Sequence, residues 1–486
     1  MYEKIKSKIF VVMENEIIVG LDIGTTKIAC FVGMRAENGK VKILGFGKTD
    51  SKGVEHGVVK SVTDTAESIR RAVSEAGDQA DVDIDEVWVG IAGQHIKSRP
   101  SHGSIMIPAD HRLIEQEDVD RLTSEQYNTM LEPGEEIIHI FPQQYIVDRE
   151  PLSREISPVG VVGKNLEADF HMVTANVQNL QYIKYAVQDA GLHIKGVVLE
   201  PVASAKAVLD DSDRDAGVAM VDIGGGTTDI AIFHDGIIRH TEVLPLAGNA
   251  ITNDIREGCN ILKKQAESLK VKFGSCLVQA VSENDVISIP GIRSQAPREI
   301  YVKTLAGIIN ARTKMILEQV DYSIKLSGFH KKLIAGVTLT GGGAQLKNIK
   351  ELCELITTTD TRIGIPNEHL SPDSVSFADL AHPMYATGIG LVLYGLEQAE
   401  DEHEEDAPFE TQHVSSSAKN GSKVDIFGDM EDVKPSDSTA PSKEVQPTVP
   451  TESEKAAKKA AKKGGGSFEK TISGFFKKVF DEGIDD

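Results

Sequence analysis

One short pattern occurs twice, and nothing else in the chain limits its fold as much. EIIVGLDIGTTKIACFVG and GVAMVDIGGGTTDIAIFHDG each read as an apolar strand, a D-I-G turn of small or hydroxyl residues, and a second apolar strand. Two hairpins of one design point to an internal duplication. From about residue 17 to residue 396, apolar runs alternate with helical patterns and turn glycines, the texture of a mixed α/β protein. Behind the first hairpin, VTDTAESIRRAVSEAG places Val62, Ala66, Ile69 and Val73 on one helical face, so this helix is expected to pack on its sheet.

The turns suit a phosphate. A tight turn aims backbone N–H groups at an anion only where side chains leave the approach open, as at Gly24 and at Gly224, Gly225 and Gly226. Thr25, Thr26, Thr227 and Thr228 add hydroxyl donors. An ordinary hairpin turn has similar composition, but here the turn recurs, and each copy follows a strand-terminal aspartate, Asp22 or Asp222. A hydrated Mg²⁺ between nucleotide phosphates would serve both carboxylates; exposed turn carboxylates are the plainer alternative. A third element, VTLTGGGAQLKNIKELCELI, reads as a strand, the glycines Gly341, Gly342 and Gly343, and a helix with Leu346, Ile349, Leu352 and Ile356 inward. A helix N-terminus behind a glycine turn can host a nucleotide. This element matches neither G-x-x-x-x-G-K-[ST] nor G-x-G-x-x-G, so P-loop and Rossmann folds are unsupported.

Composition narrows the function. A formal charge of −22, with 5% aromatic residues, leaves no basic platform for nucleic acid, while 40% apolar residues in a chain of 486 give room for two or more domains. No apolar run approaches the roughly 20 residues of a membrane span, and MYEKIKSKIFVVMENE holds too short an apolar run for a signal peptide, so a cytosolic chain is expected. Cys30, Cys259, Cys276 and Cys353 form no C-x-x-C pair and read as reduced structural thiols.

DIGTTK, VDIGGGTTD and LTGGGAQL, in that order and separation, resemble the phosphate 1, phosphate 2 and adenosine motifs of the actin, Hsp70 and sugar-kinase ATPases. The resemblance implies ATP and Mg²⁺ as cofactors. It implies that Gly24, Thr25, Thr26 and Lys27 hold phosphates from one side and that Gly224, Gly225, Gly226, Thr227 and Thr228 hold them from the other. Asp22 and Asp222 would organise Mg²⁺ through water, and Gly341, Gly342, Gly343 and Ala344 would lie against the adenosine. The A-E-x-x-K pattern of Glu267 and Lys270 is similar to a bacterial actin helix that contacts ribose and adenine, although on spacing alone a solvated ion pair explains it. Glu200 stands where bacterial actins carry the residue that orients the attacking water; a glutamate favoured at a helix start is the alternative.

The branch of this superfamily is set by the extras. The segment from Asp85 to about Glu167, with VWVGIAGQHI and IIHIFPQQYIVD as strands and EDVDRLTSEQYNTM as a helix, reads as an inserted α+β subdomain of roughly 80 residues. Past residue 398, EDEHEEDAPFE opens a stretch with almost no periodic apolar residues, read as a disordered linker through residue 466. A flexible chain of that length reaches roughly 45 Å. Within 467–482, Phe468, Ile472, Phe475, Phe476, Val479 and Phe480 recur at helical spacing, with Lys477 and Lys478 off the stripe and a lysine tract just before. These residues read as an amphipathic helix that lies on an anionic membrane surface, with docking on its own core as the alternative.

An actin-type core, an insertion after the first sheet, a linker and a terminal amphipathic helix together resemble the FtsA family of bacterial cell-division actin homologues. TDSKGVEHGVV and IIRHTEVLPLAGNAITNDI extend the match over most of residues 17–398. The fold expected is α/β and actin-like, with two duplicated α/β domains around a nucleotide cleft. Subdomain 1A would span 17–84 with 168–215 and 381–398, the inserted 1C 85–167, 2A 216–242 with 303–380, and 2B 243–302. Residues 1–16 would be an extension, with Met13 a second candidate start. The resemblance implies slow or regulatory ATPase activity, self-association into filaments, a tether for the C-terminal tail of FtsZ, and recruitment of later division proteins at the cytoplasmic face of the membrane. A PilM-like peptide-binding adaptor and a small-molecule kinase are the alternatives; neither needs a terminal helix.

Overall fold

The computed structural model describes residues 16–108, 113–153, 156–290 and 297–405, with side chains through 401. The expected N-terminal extension up to residue 15, the linker from residue 406 on and the amphipathic stripe at Phe468, Ile472, Phe475, Phe476, Val479 and Phe480 lie outside the described residues. Residues 399–405, expected as the start of the disordered linker, instead continue a helix through Glu405, with Ala399 buried and Glu400 paired to Arg35.

Two five-stranded sheets carry the fold. In the first, β1 (Ile18–Ile23), β2 (Lys27–Arg35) and β3 (Val41–Asp50) form an antiparallel meander. A small pair, β4 (Val54–Glu55) and β5 (Val58–Val59), follows, and then helix α1 (Val62–Ala80). Strand β6 (Glu86–Ile91) pairs parallel with β1, and β11 (His193–Leu199) pairs parallel with β6. The second sheet repeats this plan with β12 (Val218–Ile223), β13 (Thr228–His234) and β14 (Ile237–Leu244) as the meander. There β17 (Gly336–Thr340) and β18 (Thr361–Ile363) are the parallel strands. The duplication read from the hairpins is thus a duplication of whole sheets.

Helices bury both faces of the first sheet. On one side α1 packs on β2 and β3, burying Ala66, Ile69, Ala72 and Ala76, while Val62 and Val73 are half-buried at its edge. Ser61 caps this helix by accepting from the Asp64 N–H. On the other side lie α4 (Glu200–Val208) and α11 (Ala386–Glu405). Helix α4 also touches β12 and β13, so it bridges the two halves. Between β11 and the start of the second sheet the chain adds only α5 (Asp211–Ala216) after α4.

The insertion is a four-stranded sheet of β7 (Lys97–Met106), β8 (Glu135–Val147), β9 (Glu150–Pro151) and β10 (Asn165–Asn176), in the order β7-β10-β8-β9. Helix α2 (Gln116–Gln126) covers it, over a core that includes Leu122, Leu166, Phe170 and Met172. After β10 the chain runs through α3 (Val177–Asp189) back to the first sheet. Strand β6, expected within the insertion, belongs to the first sheet instead. Five of its six residues are buried in succession, as in a parallel strand covered on both faces.

In the second half, α6 (Gly248–Cys259), α7 (Lys263–Phe273) and the hairpin β15 (Val286–Ile289) with β16 (Arg298–Tyr301) precede α8 (Val302–Leu326) and α9 (Ile349–Thr357). The chain then recrosses earlier than the expected residue 381. His369 O and Ser371 N bond to the backbone of Val41, Val375 N bonds to Ile43 O, and Leu370 is buried in the first core, ahead of α10 (Phe377–Leu380).

Candidate functional site

A cavity of about 820 Å³ opens between the two hairpin turns. Its walls include Asp22, Gly24, Thr25, Thr26 and Lys27 from the first half and Asp222, Gly224, Gly225, Gly226, Thr227 and Asp229 from the second. Glu200, Glu267, Lys270, Gly341, Gly342 and Gly343 complete them. Two expected residues lie behind the wall. Thr228 is fully buried and donates to Leu246 O at 2.7 Å, and Ala344, 3% exposed, belongs to the second core.

The turns approach each other closely. A Cβ on Gly225 would stand 1.8 Å from Thr26 Oγ1, and one on Gly226 would stand 2.4 Å from Thr25 Oγ1. Gly341, at φ 83°, lies against Asp222, where an added Cβ would be 2.1 Å from Oδ1. The helix expected straight after the triplet starts only at Ile349, and Gly342 to Gln345 form a single 3₁₀ turn. Adjacent glycines cost a helix roughly 1 kcal/mol apiece, so the chain turns first.

Strand register sets the acidic side chains. Asp22 lies opposite Ala29 across β1 and β2, whereas Asp222 lies opposite a second acid, Asp229, across β12 and β13. Lys27 Nζ donates to Asp22 Oδ2 at 2.6 Å. Asp222 Oδ2 accepts from Ser204 Oγ at 2.7 Å and Thr387 Oγ1 at 3.1 Å. Asp229 Oδ2 accepts from Thr227 Oγ1 at 3.1 Å, but its Oδ1 is buried with no hydrogen-bond partner. On the far wall, Lys270 Nζ meets Glu267 Oε2 at 2.9 Å, Thr252 Oγ1 at 2.8 Å and Gly248 O at 3.0 Å. With its side chain 11% exposed, Lys270 is part of the cleft wall, unlike a solvated surface pair.

Buried carboxyls and Lys27 perturb one another in this cavity. Burial, reinforced by Asp22, Asp229 and Asp222, pushes the Glu200 carboxyl well above the ordinary range. Burial and then Asp222 do the same to Asp229. Asp222 is raised by burial, against the Ser204 hydrogen bond, which favours its ionised form. Burial acts to lower the Lys27 ammonium, yet Asp22 first, then Asp222 and Glu200, hold it above its usual value. Among the described residues, no group of three or more His, Cys, Asp or Glu side chains is placed to hold a metal ion by itself.

Sequence reading overlooked Asp229, Ser204, Thr387 and Thr252. Only Asp229 had a local signal: it occupies the place in the second hairpin that Ala29 occupies in the first.

Two sheets of one topology, meeting at a cleft edged by paired D-I-G turns, define the actin-like ATPase fold, a nucleotide-binding class. The family model "Cell division protein FtsA" matches residues 219–390, "SHS2 domain inserted in FTSA" matches 93–174, and "Hsp70 protein" matches 176–243. Cell division protein FtsA of Pseudomonas aeruginosa is 36% identical over 390 residues, covering 80% of this chain and 92% of that protein. Its counterpart in Escherichia coli K12 is 32% identical over 392 residues, covering 79% and 91%. Among solved structures, the PilM–PilN type IV pilus biogenesis complex superposes with a TM-score of 0.56 at 16% identity, covering 78% of this chain and 98% of that one, a likeness of fold. The chain belongs to the FtsA family.

Proposed function

We propose that this protein acts in bacterial cell division as an ATP-dependent, membrane-bound actin homologue. The observation that carries the nucleotide assignment is the charge of the cleft: Asp22, Asp222, Asp229 and Glu200 line it with Lys27, and Asp229 Oδ1 has no partner. A polyphosphate alone would have to approach Asp22 and Asp222 with no cation between. Mg²⁺ binds through one or two carboxylates, retained waters and phosphate oxygens, which suits walls that hold no complete ligand set of their own. Mg²⁺ held between the carboxyls and ATP would therefore supply the counter-charge, and the phosphate oxygens the missing ligands.

In this reading Asp22 and Asp222 take the hydrated cation, and the turns at Gly24, Thr25, Thr26, Lys27 and at Gly224, Gly225, Gly226, Thr227 face the phosphates. Glu267 and Lys270 meet the ribose, and Gly341, Gly342 and Gly343 border the adenosine. Glu200, in the first turn of α4, orients the attacking water in a slow, regulatory hydrolysis. Titration with a fluorescent ATP analogue tests the charge argument. Binding is expected with Mg²⁺ and lost on chelation; equal affinity in EDTA would overturn it.

Family membership supports filament formation, binding of the FtsZ C-terminal tail and recruitment of later division proteins. Among the described residues no helix is long and apolar enough to cross a membrane. The membrane assignment rests on the sequence of the terminal stripe, where several weak helices in one filament would bind lipid by avidity. Truncation after Gly466 is expected to abolish binding to anionic liposomes and spare nucleotide binding. Equal liposome binding by both forms would remove the anchor.

A further inference from the structure

The tip between β4 and β5 reaches out of the first half and touches the turn of the second. His56 Nδ1 lies 3.0 Å from Gly226 O, and because a carbonyl only accepts, Nδ1 carries the proton. The next residue, Gly57, donates its N–H to Thr25 Oγ1 at 3.0 Å. One dipeptide thus holds both glycine turns. Its other side backs onto residues 92–93, where the chain leaves β6 for the insertion. A Cβ on Gly57 would stand 2.6 Å from Ala92 O, and one on Gly93 would stand 3.1 Å from Gly57 O. His95 lies beside this contact, 2.8 Å from where a Cβ on Gly93 would stand, with both ring nitrogens buried and without a hydrogen-bond partner. His56 adopts φ 48°, in the left-handed region, which costs a non-glycine residue roughly 1 kcal/mol and which its contacts must offset.

We propose that His56 is a cross-cleft positioning residue: its hydrogen bond to Gly226 fixes the separation of the two glycine turns, and the Gly57–Gly93 contact passes that separation to the insertion. Its effect on nucleotide rests on the reading of the cleft given above; the mechanical link does not. A nucleotide that changes the spacing of the turns would move the insertion's root through this tip, without any contact of its own with the insertion.

Two variants of the full-length protein test the assignment. His56→Gly keeps the left-handed backbone and removes the donor. His56→Asn places Nδ2 where the imidazole places Nδ1, and Asn tolerates the left-handed region. In nucleotide-free protein, amide hydrogen exchange in His56→Gly is expected to accelerate at 24–26, 225–228 and 92–97, with wild-type protection restored in His56→Asn. Acceleration confined to 55–58, or no rescue by Asn, would overturn the proposal. With Mg²⁺ and ATP, His56→Gly is expected to bind about five-fold more weakly, the worth of one net hydrogen bond, and His56→Asn to recover. If the wild type bound no nucleotide while His56→Gly still loosened 225–228 and 92–97, the nucleotide reading would fall and the positioning role would stand.

Discussion

The two hairpins share backbone register but solve opposite electrostatic problems. In the first, Asp22 faces Ala29, and the Lys27 ammonium lies against it. In the second, Asp222 faces Asp229, and hydroxyls from Ser204, Thr387 and Thr227 donate to the two carboxyl groups. Duplication supplied the frame, and the substitutions at two register positions supplied the chemistry. One wall of the cleft is self-compensated, while the other keeps an unpartnered carboxylate oxygen at Asp229. The second hairpin is therefore the side that stands to gain most from an incoming cation.

The comparison breaks hardest if the second hairpin's acid is moved into the first. Ala29 is fully buried opposite Asp22, with no hydroxyl placed as Thr227 is for Asp229. Ala29→Asp is expected to lose about 3 kcal/mol of stability in urea unfolding, the scale for a buried, poorly partnered carboxyl. A loss below about 0.5 kcal/mol, the range of ordinary surface substitutions, would show the two hairpins to be interchangeable.

A smaller effect separates the hairpins by pH. Asp229 and Glu200 have folded values raised above the ordinary 3.8 and 4.5, so the folded protein keeps protons that the unfolded chain has already released. Their contribution to stability is complete below those ordinary values and is lost as pH rises through the raised folded ones. Asp229→Asn keeps an oxygen for the Thr227 hydroxyl and removes the titration. Nucleotide-free Asp229→Asn is expected to show a flatter decline in melting temperature above pH 4 and to exceed wild type near neutrality. A curve parallel to wild type would mean that Asp229 ionises in the cleft at no cost.

How much of this could be read from the chain follows from the range of each interaction. The D-I-G turns and the flanking apolar strands are local, so their residues named the hairpins, and the glycine triplet at Gly341, Gly342 and Gly343 announced a third turn. Sheet membership is not local. VWVGI is equally apolar in an insertion or in a buried parallel strand, and only pairing with β1 and β11 places it in the first sheet. Ser204 and Thr387, 183 positions apart, meet at Asp222 only because α4 and α11 pack together, and neither sits in a motif. The cross-cleft reach of His56 was hidden in the same way, since Gly226 lies 170 residues away.

The smallest effect sharpens the contrast between a cation and hydroxyls as partners. Ser204 Oγ and Thr387 Oγ1 lie 3.0 Å from each other and both reach Asp222 Oδ2. Each hydroxyl has one proton, so only two of these three contacts can be donated at once. Removing one hydroxyl frees the other to donate to the carboxylate throughout. Ser204→Ala and Thr387→Val, both close to isosteric, are therefore each expected to cost about 1 kcal/mol or less. The double variant strips Oδ2 of both donors and is expected to cost more than the sum, with a coupling of at least about 0.5 kcal/mol in a double-mutant cycle of urea midpoints. An ammonium offers three protons, so Lys27 needs no such sharing at Asp22. Additive single effects would mean that the hydroxyls act independently, and Asp222 would then depend on its two donors much as two separate surface hydrogen bonds would.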